Sequence, residues 1–352
     1  MRHGSNIDPP NRFHSIHTES DFEQLHEEDP HHANHLRRPI EYLPDDSQSI
    51  VSKNNSPDIS FQYSLNPYRG CVHACSYCYA RPTHEYLGLN AGLDFETKII
   101  VKKEAASLLR SFLMRKAWEP APIVFSGVTD CYQPAEREFQ LTRQCLQVAA
   151  EFQQPIGIIT KNALVTRDID LLGPLAAKGL AKVFLSINSL DAELARKMEP
   201  RTSTPLARLR AMEELTAAGI PVGVMVAPMI PGLNDDQIRP VLEAAKKAGA
   251  TAANYTLLRL PLTVEPVFVE WLERTFPDAA EKILGRIEQT REGKLNRSEF
   301  NQRMFGSGVV AQQIRALFNA MSKKLELPRR LPSLETKHFQ RPSTDGQMQL
   351  FE

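Results

Sequence analysis

Between Ile59 and Thr275, short β-branched runs alternate six times with longer amphipathic ones, and this alternation limits the fold more than any other feature of the chain. The strand candidates are FQYSLNPY, APIVFSGV, PIGIITKN, AKVFLSIN, PVGVMVAP and ANYTLLRL. The helix candidates run from Glu104 to Trp118, Gln140 to Phe152, Asp168 to Lys178, Asp191 to Lys197 with Pro205 to Ala218, Asp235 to Ala248, and Val264 to Thr275. TKIIVKK, at 97–103, adds a short strand candidate before the first helix. Antiparallel neighbours can be joined by a tight hairpin, whereas parallel neighbours need a long crossover that is usually helical. Strict alternation therefore predicts an α/β fold with a parallel sheet and helices outside it. A partial (βα)6 barrel and a doubly wound sheet both satisfy the pattern. Small or polar residues fall at the C-terminal ends of the strands: Thr129 and Asp130, Lys161 and Asn162, Ser186 and Asn188, Pro228, and Arg259. That is the end at which α/β barrels carry their sites.

The alternation divides the chain into four parts. Residues 1–55 are polar, lack apolar periodicity and hold seven of the ten histidines (His3, His14, His17, His26, His31, His32 and His35), which reads as a flexible or loosely packed arm. Residues 56–275 form the core domain. Two helical stretches, AAEKILGRIEQTREG and GVVAQQIRALFNAMSKKLEL, make residues 276–328 a C-terminal extension packed on the core. Residues 329–352 read as a flexible tail with an apolar finish, QMQLF.

Bulk properties exclude several classes. The 42 basic and 42 acidic side chains cancel, so no global positive field is available to hold nucleic acid or an anionic membrane nonspecifically. A local basic segment, KKLELPRRLP, is the exception. No run approaches the roughly 20 apolar residues of a membrane span, and MRHGSNIDPPNRFHSIHTES lacks the apolar core of a signal peptide, so a cytoplasmic location without membrane contact is expected.

Five cysteines in 352 residues, three of them in RGCVHACSYCYARP, do not resemble the disulfide framework of a small secreted domain. Structural zinc wants four ligands, commonly as two separated pairs, and Cys131 and Cys145 stand alone; Cys71, Cys75 and Cys78 with His73 or His84 would still make a zinc knuckle in a non-catalytic interaction protein. A redox pair of Cys75 and Cys78 leaves Cys71 unexplained. Inert buried thiols are the plainest reading. The remaining one is a [4Fe–4S] cluster on three thiolates with one iron left open to a non-protein ligand.

CVHACSYC has the Cx3CxΦC spacing, with Tyr77 as the aromatic residue, and follows the first strand of the six-fold pattern. It resembles the radical S-adenosylmethionine (SAM) superfamily. FSGVTDCYQPAE, TKN, SINSLD, MEPRTSTPLARL and APMIPGLND, at the ends of successive strands, are similar to spore photoproduct lyase-like proteins, also described as DNA repair photolyase-like. The resemblance implies a partial TIM-like barrel of the radical SAM type. It also implies that Cys71, Cys75 and Cys78 hold the cluster, and that SAM chelates the open iron and is cleaved by a one-electron reductant to a radical that abstracts hydrogen.

The same resemblance assigns roles on the strand ends. Ser126, Gly127, Thr129 and Asp130 stand where the superfamily carries its GGE-like motif and would receive the methionine amino group, although the letters differ. Arg201 would bind the carboxylate in a fork. Ser186 and Asn188 share one face of the fourth strand and would reach the ribose or methionine part, and Ala227 and Pro228 would flank the adenine. Spore photoproduct lyases use a cysteine hydrogen-atom donor near the second strand; the matching position is close to Gly127, and neighbouring Cys131 is the candidate substitute. Tyr132, Lys161, Tyr255 and Arg259 are expected in the substrate cavity. The substrate is either a DNA lesion, repaired in a lyase-like reaction, or a small molecule, RNA or protein side chain. QMQLF resembles the peptide that bacterial repair proteins insert into the sliding clamp, with Gln347, Leu350 and Phe351 as anchors.

Overall fold

A computed structural model describes residues 3–14 and 38–342 of the chain. Its strands are β1 (Glu41–Pro44), β2 (Val51–Lys53), β3 (Tyr63–Leu65), β4 (Tyr68–Arg69), β5 (Lys98–Val101), β6 (Ile123–Phe125), β7 (Ile156–Thr160), β8 (Ala181–Ser186), β9 (Val222–Met229) and β10 (Ala252–Leu257). The helices are α1 (Leu93–Thr97), α2 (Ala105–Leu113), α3 (Glu136–Phe139), α4 (Leu141–Glu151), α5 (Ile169–Ala177), α6 (Ala192–Met198), α7 (Pro205–Ala217), α8 (Ile238–Lys247), α9 (Val264–Thr275), α10 (Ala280–Gln289) and α11 (Gly308–Lys324). A seven-stranded sheet runs in the order β10-β9-β8-β7-β6-β3-β2. Six of these strands, β3 and β6 to β10, are parallel neighbours in sequence order, and β2 pairs antiparallel with β3 at one edge. This is the partial (βα)6 barrel, not the doubly wound alternative, because each new strand adds on the same side of the last.

The central strands read as continuous apolar runs because both faces are covered. Ile123, Phe125, Ile156, Ile158, Val183, Leu185, Val222 and Val224 share one core with Leu146, Leu172, Met212 and Leu242 from the surrounding helices. The helix α8 shows the logic in miniature: Ile238, Val241, Leu242 and Ala245 recur at helical spacing and are its buried residues. Caps set the starts of α6 and α7. Asp191 accepts from the backbone amides of Glu193 and Leu194, and Thr204 from that of Ala207, with Pro205 in the first turn.

Two expectations change. TKIIVKK does form a strand, but outside the barrel: β5 is the centre of a three-stranded sheet, parallel to β1 and antiparallel to β4. The loosely packed arm does not describe residues 3–14 and 38–55, which contribute β1, β2 and a buried segment. The backbone amides of Gly4 and Ser5 donate to Glu96, and Asn11 Nδ2 donates to the carbonyls of Glu85 and Leu89. A Cβ on Gly4 would lie 2.0 Å from the Ala74 carbonyl oxygen, so only glycine permits this approach. The segment is polar because hydrogen bonds hold it, which apolar periodicity cannot reveal. His17, His26, His31, His32 and His35 lie outside the described residues.

The helices α10 and α11 pack on the core, with Ile314 and Phe318 buried and Phe318 4.5 Å from the Tyr255 ring. In the chain that follows, described to residue 342, the expected flexible tail is held down: Leu331 is buried, and Arg341 donates to the carbonyls of Leu113, Arg115 and Trp118. Gln347, Leu350 and Phe351 lie outside the described residues. Among those described, no helix is long and apolar enough to cross a membrane.

Candidate functional site

The cysteine loop leaves β4 through Gly70, whose φ of +75° and contacts near 3 Å to His84, Phe95 and Lys98 require the absence of a side chain. The Cys71 amide then donates to the Phe95 carbonyl (2.9 Å), and successive turns close from Ala74 to Cys71 and from Cys78 to Cys75. Gln133 holds the first bend from the barrel side, accepting from the Val72 amide (2.9 Å) and donating to the Gly70 carbonyl (3.0 Å). Cys71 and Cys75 are buried, and Cys78 is half-buried.

Behind the loop lies a closed ion network. Arg81, wholly buried, donates twice to the Cys75 carbonyl, to the Ala91 and Gly92 carbonyls, and to Glu96 Oε1 (2.5 Å). Glu96 also meets His3 Nδ1 at 3.1 Å and the amides of Gly4 and Ser5. Burial alone would raise the Glu96 carboxyl, but Arg81, His3 and Arg201 outweigh it and hold it below the usual range. The cysteine backbone is therefore positioned by charge-assisted hydrogen bonds that are themselves satisfied.

A second network faces the strand tips. Tyr77 donates its hydroxyl to Glu199, which is paired with buried Arg208, and Asn188 Nδ2 donates to the same carboxylate (3.2 Å). Lys161, at the end of β7, places its ammonium 5.9 Å from the Tyr77 ring centroid. Burial disfavours that charge, yet Cys75, Glu199, Asp130 and Cys78 together raise the lysine above its ordinary value. Burial pushes the Cys71 thiol up to about 12, with Cys78 and Asp130 adding to it, and burial likewise raises Cys75 and Cys78. Such thiols give up their protons to a bound cation rather than to water.

The remaining residues expected at the site divide into two groups. Ser126 and Asn188 end at its floor. Ser126 adopts φ +94°, a strained value for a residue with a side chain, and donates to the Ile159 carbonyl (2.7 Å); Gly127 follows at φ +103°. Asn188 Oδ1 is buried without a hydrogen-bond partner among the described residues. Ser186 is buried on the same strand, its carbonyl taken by Arg208, while Ala227 and Pro228 are half-buried at the end of β9. The others are occupied elsewhere. Thr129 donates to Asn66 and the Tyr68 carbonyl. Asp130 accepts from Thr160 Oγ1 (2.7 Å), the Lys161 amide (2.7 Å) and the Tyr132 amide (2.9 Å), and lies 3.5 Å from His73 Nδ1, so it links the ends of β6 and β7 to the cysteine loop.

Arg201, expected to meet a carboxylate, points to the back of the loop: Nη1 donates to the Val72 carbonyl (3.1 Å), Nη2 is 2.9 Å from His3 Nδ1, and Glu96 is 3.7 Å away. The cation brought to the thiols and Tyr77 is Lys161. Cys131 is wholly buried in the barrel core beside Leu146 and Phe125, and burial raises its thiol strongly. Tyr132 is buried on Asp168, and Tyr255 packs between Phe305 and Phe318, so neither is an exposed lining residue. Glu199 and Arg208 escaped the sequence reading; the one available signal was a charged residue beside Pro200 in MEPRTST.

The donor set fits an iron–sulfur cluster better than zinc. His73 Nε2 accepts from Asn162 and His84 Nε2 meets the Lys98 carbonyl, while His84 Nδ1 is buried without a hydrogen-bond partner among the described residues. Among the described residues, no three His, Cys, Asp or Glu side chains converge as one metal ion would need, whereas a cluster spreads three thiolates over three irons. Fold and site thus define an α/β partial barrel with a three-thiol loop at the mouth.

Residues 65–245, just over half of the chain, match the Radical SAM superfamily, and the chain belongs to that family. Radical SAM proteins use a [4Fe–4S] cluster and SAM. An uncharacterised protein of Mycobacterium tuberculosis (strain H37Rv) is 38% identical over 226 residues, 64% of this chain and 66% of that protein. The match thus spans slightly less than two thirds of that relative's length. An uncharacterised protein of Methanocaldococcus jannaschii is 29% identical over 222 residues, covering 63% of this chain and 79% of that protein. Among solved structures, spore photoproduct lyase complexed with dinucleoside spore photoproduct superposes with a TM-score of 0.53 at 15% identity, over 81% of this chain and 79% of that one. The likeness is one of fold, the partial TIM-like barrel.

Proposed function

We propose that the chain is a radical SAM enzyme in which Cys71, Cys75 and Cys78 hold the [4Fe–4S] cluster and the strand tips hold SAM and a hydrogen-bearing substrate. One observation carries the reading: two buried thiols and one half-buried thiol on a loop whose carbonyls and amides are clamped from behind, with one ammonium, Lys161, set beside the Tyr77 ring. When bound and reduced by an external one-electron donor, the cluster with SAM supplies a 5′-deoxyadenosyl radical that takes a hydrogen atom from the substrate. The chain's own residues bind and orient. Lys161 offers the charge for the SAM carboxylate, the role the sequence alone suggested for Arg201. Asn188 Oδ1 is an acceptor awaiting a donor, and the Ser126–Gly127 turn lets a ligand approach the backbone closely. Ala227 and Pro228 offer apolar surface to the adenine. Tyr77, pinned by Glu199, forms the wall between cluster and strand tips.

Anaerobic reconstitution of the full chain tests this. About four irons and four sulfides per chain, with dithionite-dependent release of 5′-deoxyadenosine, is the expected result. Stoichiometric zinc, or an intact cluster that never cleaves SAM, overturns it.

A DNA lesion is the substrate reading supported by the fold likeness to spore photoproduct lyase in complex with a dinucleoside photoproduct. That dinucleoside is the probe: its conversion supports the reading, and its return unchanged while SAM is cleaved removes the lesion and leaves the enzyme. The contact of Gln347, Leu350 and Phe351 with a sliding clamp rests on sequence alone. Saturable binding of a QMQLF peptide, lost on Leu350→Ala with Phe351→Ala, is its test.

A further inference from the structure

We propose that Arg259, with Tyr79, forms a recognition site for an anionic group carried on a planar ring, at the mouth of the barrel beside the cysteine loop. Arg259 lies two residues beyond the end of β10, and its guanidinium is 5.7 Å from the centroid of the Tyr79 ring. Tyr79 directly follows Cys78 and is 49% exposed, although its hydroxyl is anchored on the Gly127 carbonyl at 2.7 Å. An aromatic face is thus held open to solvent next to the thiols, with a cation over it.

The cation lacks a counter-charge. Arg259 Nε is buried and has no hydrogen-bond partner among the described residues, and the polar contact recorded for its Nη1 is the Met304 sulfur at 4.0 Å. Asp58, the carboxylate whose charge reaches Arg259, is taken by Arg303 Nε (2.6 Å) and the Asn301 amide (2.7 Å). Beneath lies Arg291, 1% exposed, which spends two nitrogens on the Leu258 and Gln302 carbonyls and leaves Nε unpartnered. Burial, Arg259 and Arg297 bring its pKa down to about 10. Arg297 is satisfied by Glu292 and Glu299. Asp58 thus answers Arg303, and neither Arg259 nor Arg291 has an ion-paired carboxylate among the described residues.

A guanidinium part-buried without a partner costs free energy that a structural role does not return. A purely structural arginine would find a carboxylate or several carbonyls, as Arg81, Arg208 and Arg341 do. Arg259 instead stands over the exposed ring of Tyr79, and Leu262, three residues further on, is exposed as well. Leu262 takes φ +54°, a strained conformation on the rim. The ligand chemistry that answers all of this is a phosphate or carboxylate attached to a flat group that can lie against Tyr79.

The inference deepens the reading above by naming the substrate class, and it rests on that reading only for the ligand's fate, because binding is measured apart from SAM cleavage. Calorimetry on the reconstituted full chain uses phenyl phosphate, benzoate, inorganic phosphate and phenol as probes. Phenyl phosphate is expected to bind at least about tenfold more tightly than phenol, with the gap closing at high salt. Arg259→Gln should abolish the gap and leave phenol unaffected, and Arg259→Lys should restore part of it. Tighter binding of phenyl phosphate than of benzoate assigns a phosphate ester, and the reverse order a carboxylate. Equal binding of phenyl phosphate and phenol by the wild-type chain overturns the site, a result that needs no variant to fold. Equal phenyl phosphate affinity in wild type and a folded Arg259→Gln also overturns it. Loss of SAM cleavage with the binding pattern intact would sink the enzyme reading and leave the anion site standing.

Discussion

The two sides of the cysteine loop differ in how they treat buried charge. Behind it, Arg81, Glu96, His3 and Arg201 form a network in which Glu96 accepts from two amides and meets three basic side chains. In front, Lys161 and Arg259 stand over the rings of Tyr77 and Tyr79, with no carboxylate within ion-pair distance of either among the described residues. Buried charges that are fully paired have nothing left to offer a ligand and act as scaffold. Charges kept near aromatic faces without an ion-paired carboxylate keep their binding capacity: Arg259 carries its desolvation cost until a ligand arrives, whereas the charges around Lys161 already offset its burial.

The difference can be broken from either side. The largest effect is expected at the thiols: Cys71→Ala, Cys75→Ala or Cys78→Ala should abolish 5′-deoxyadenosine formation and cluster absorbance while the barrel still unfolds cooperatively, since these side chains bear on the ligand rather than on the main core.

On the rear side, Glu96→Ala leaves Arg81 buried without its carboxylate and should cost about 3–5 kcal/mol in denaturant unfolding. Iron release to a chelator should accelerate in parallel, because Arg81 also holds the Cys75 carbonyl. Unchanged stability would show that the network is not the scaffold.

His84 supplies a pH test of the same side. Burial lowers its pKa to about 4 from an ordinary 6.5, so the folded state binds fewer protons than the unfolded one in that window. Its contribution is full above pH 6.5 and is lost as pH falls toward 4, about 2 kcal/mol being gone by pH 5. Urea titrations at pH 7 and pH 5 should show that loss in the wild-type chain and a smaller one in His84→Gln.

The front side gives the smallest stability effect and a specific binding effect. Lys161→Met should weaken SAM about tenfold, ~1.4 kcal/mol, with a much smaller change in unfolding than Glu96→Ala. Equal SAM affinity in wild type and Lys161→Met would take the carboxylate role from this lysine.

How much of this was legible in the sequence follows from the range of the forces. Val264–Thr275 is legible to its ends and the other long helices to within little more than a turn, because apolar spacing and caps are local signals, whereas the short α1 and α3 go unread. The Cys71–Cys78 loop is legible for the same reason: three thiols within eight residues stand out without a fold. His3 and Glu96 stand 93 residues apart, Tyr77 and Glu199 122 apart, and no local pattern links either pair. Arg201 was assigned a front-side task by its neighbours in MEPRTST, and only the path of the chain after α6 turned it to the rear. Thr129 and Asp130 stand where the family resemblance places ligand contacts, yet the adjoining loops claim their hydrogen bonds first.

The sequence by itself determined the alternation that makes a parallel sheet and the thiol loop, since these depend on spacing within one segment; the cofactor class followed from the resemblance of that loop and the strand-end motifs to radical SAM proteins. Tertiary structure alone decided which charges are paired and which are left facing the mouth of the barrel. Pairing depends on distances between residues far apart in the chain, and an ion's worth in a protein is set by those distances and by its burial, neither of which a residue's neighbours in sequence can specify.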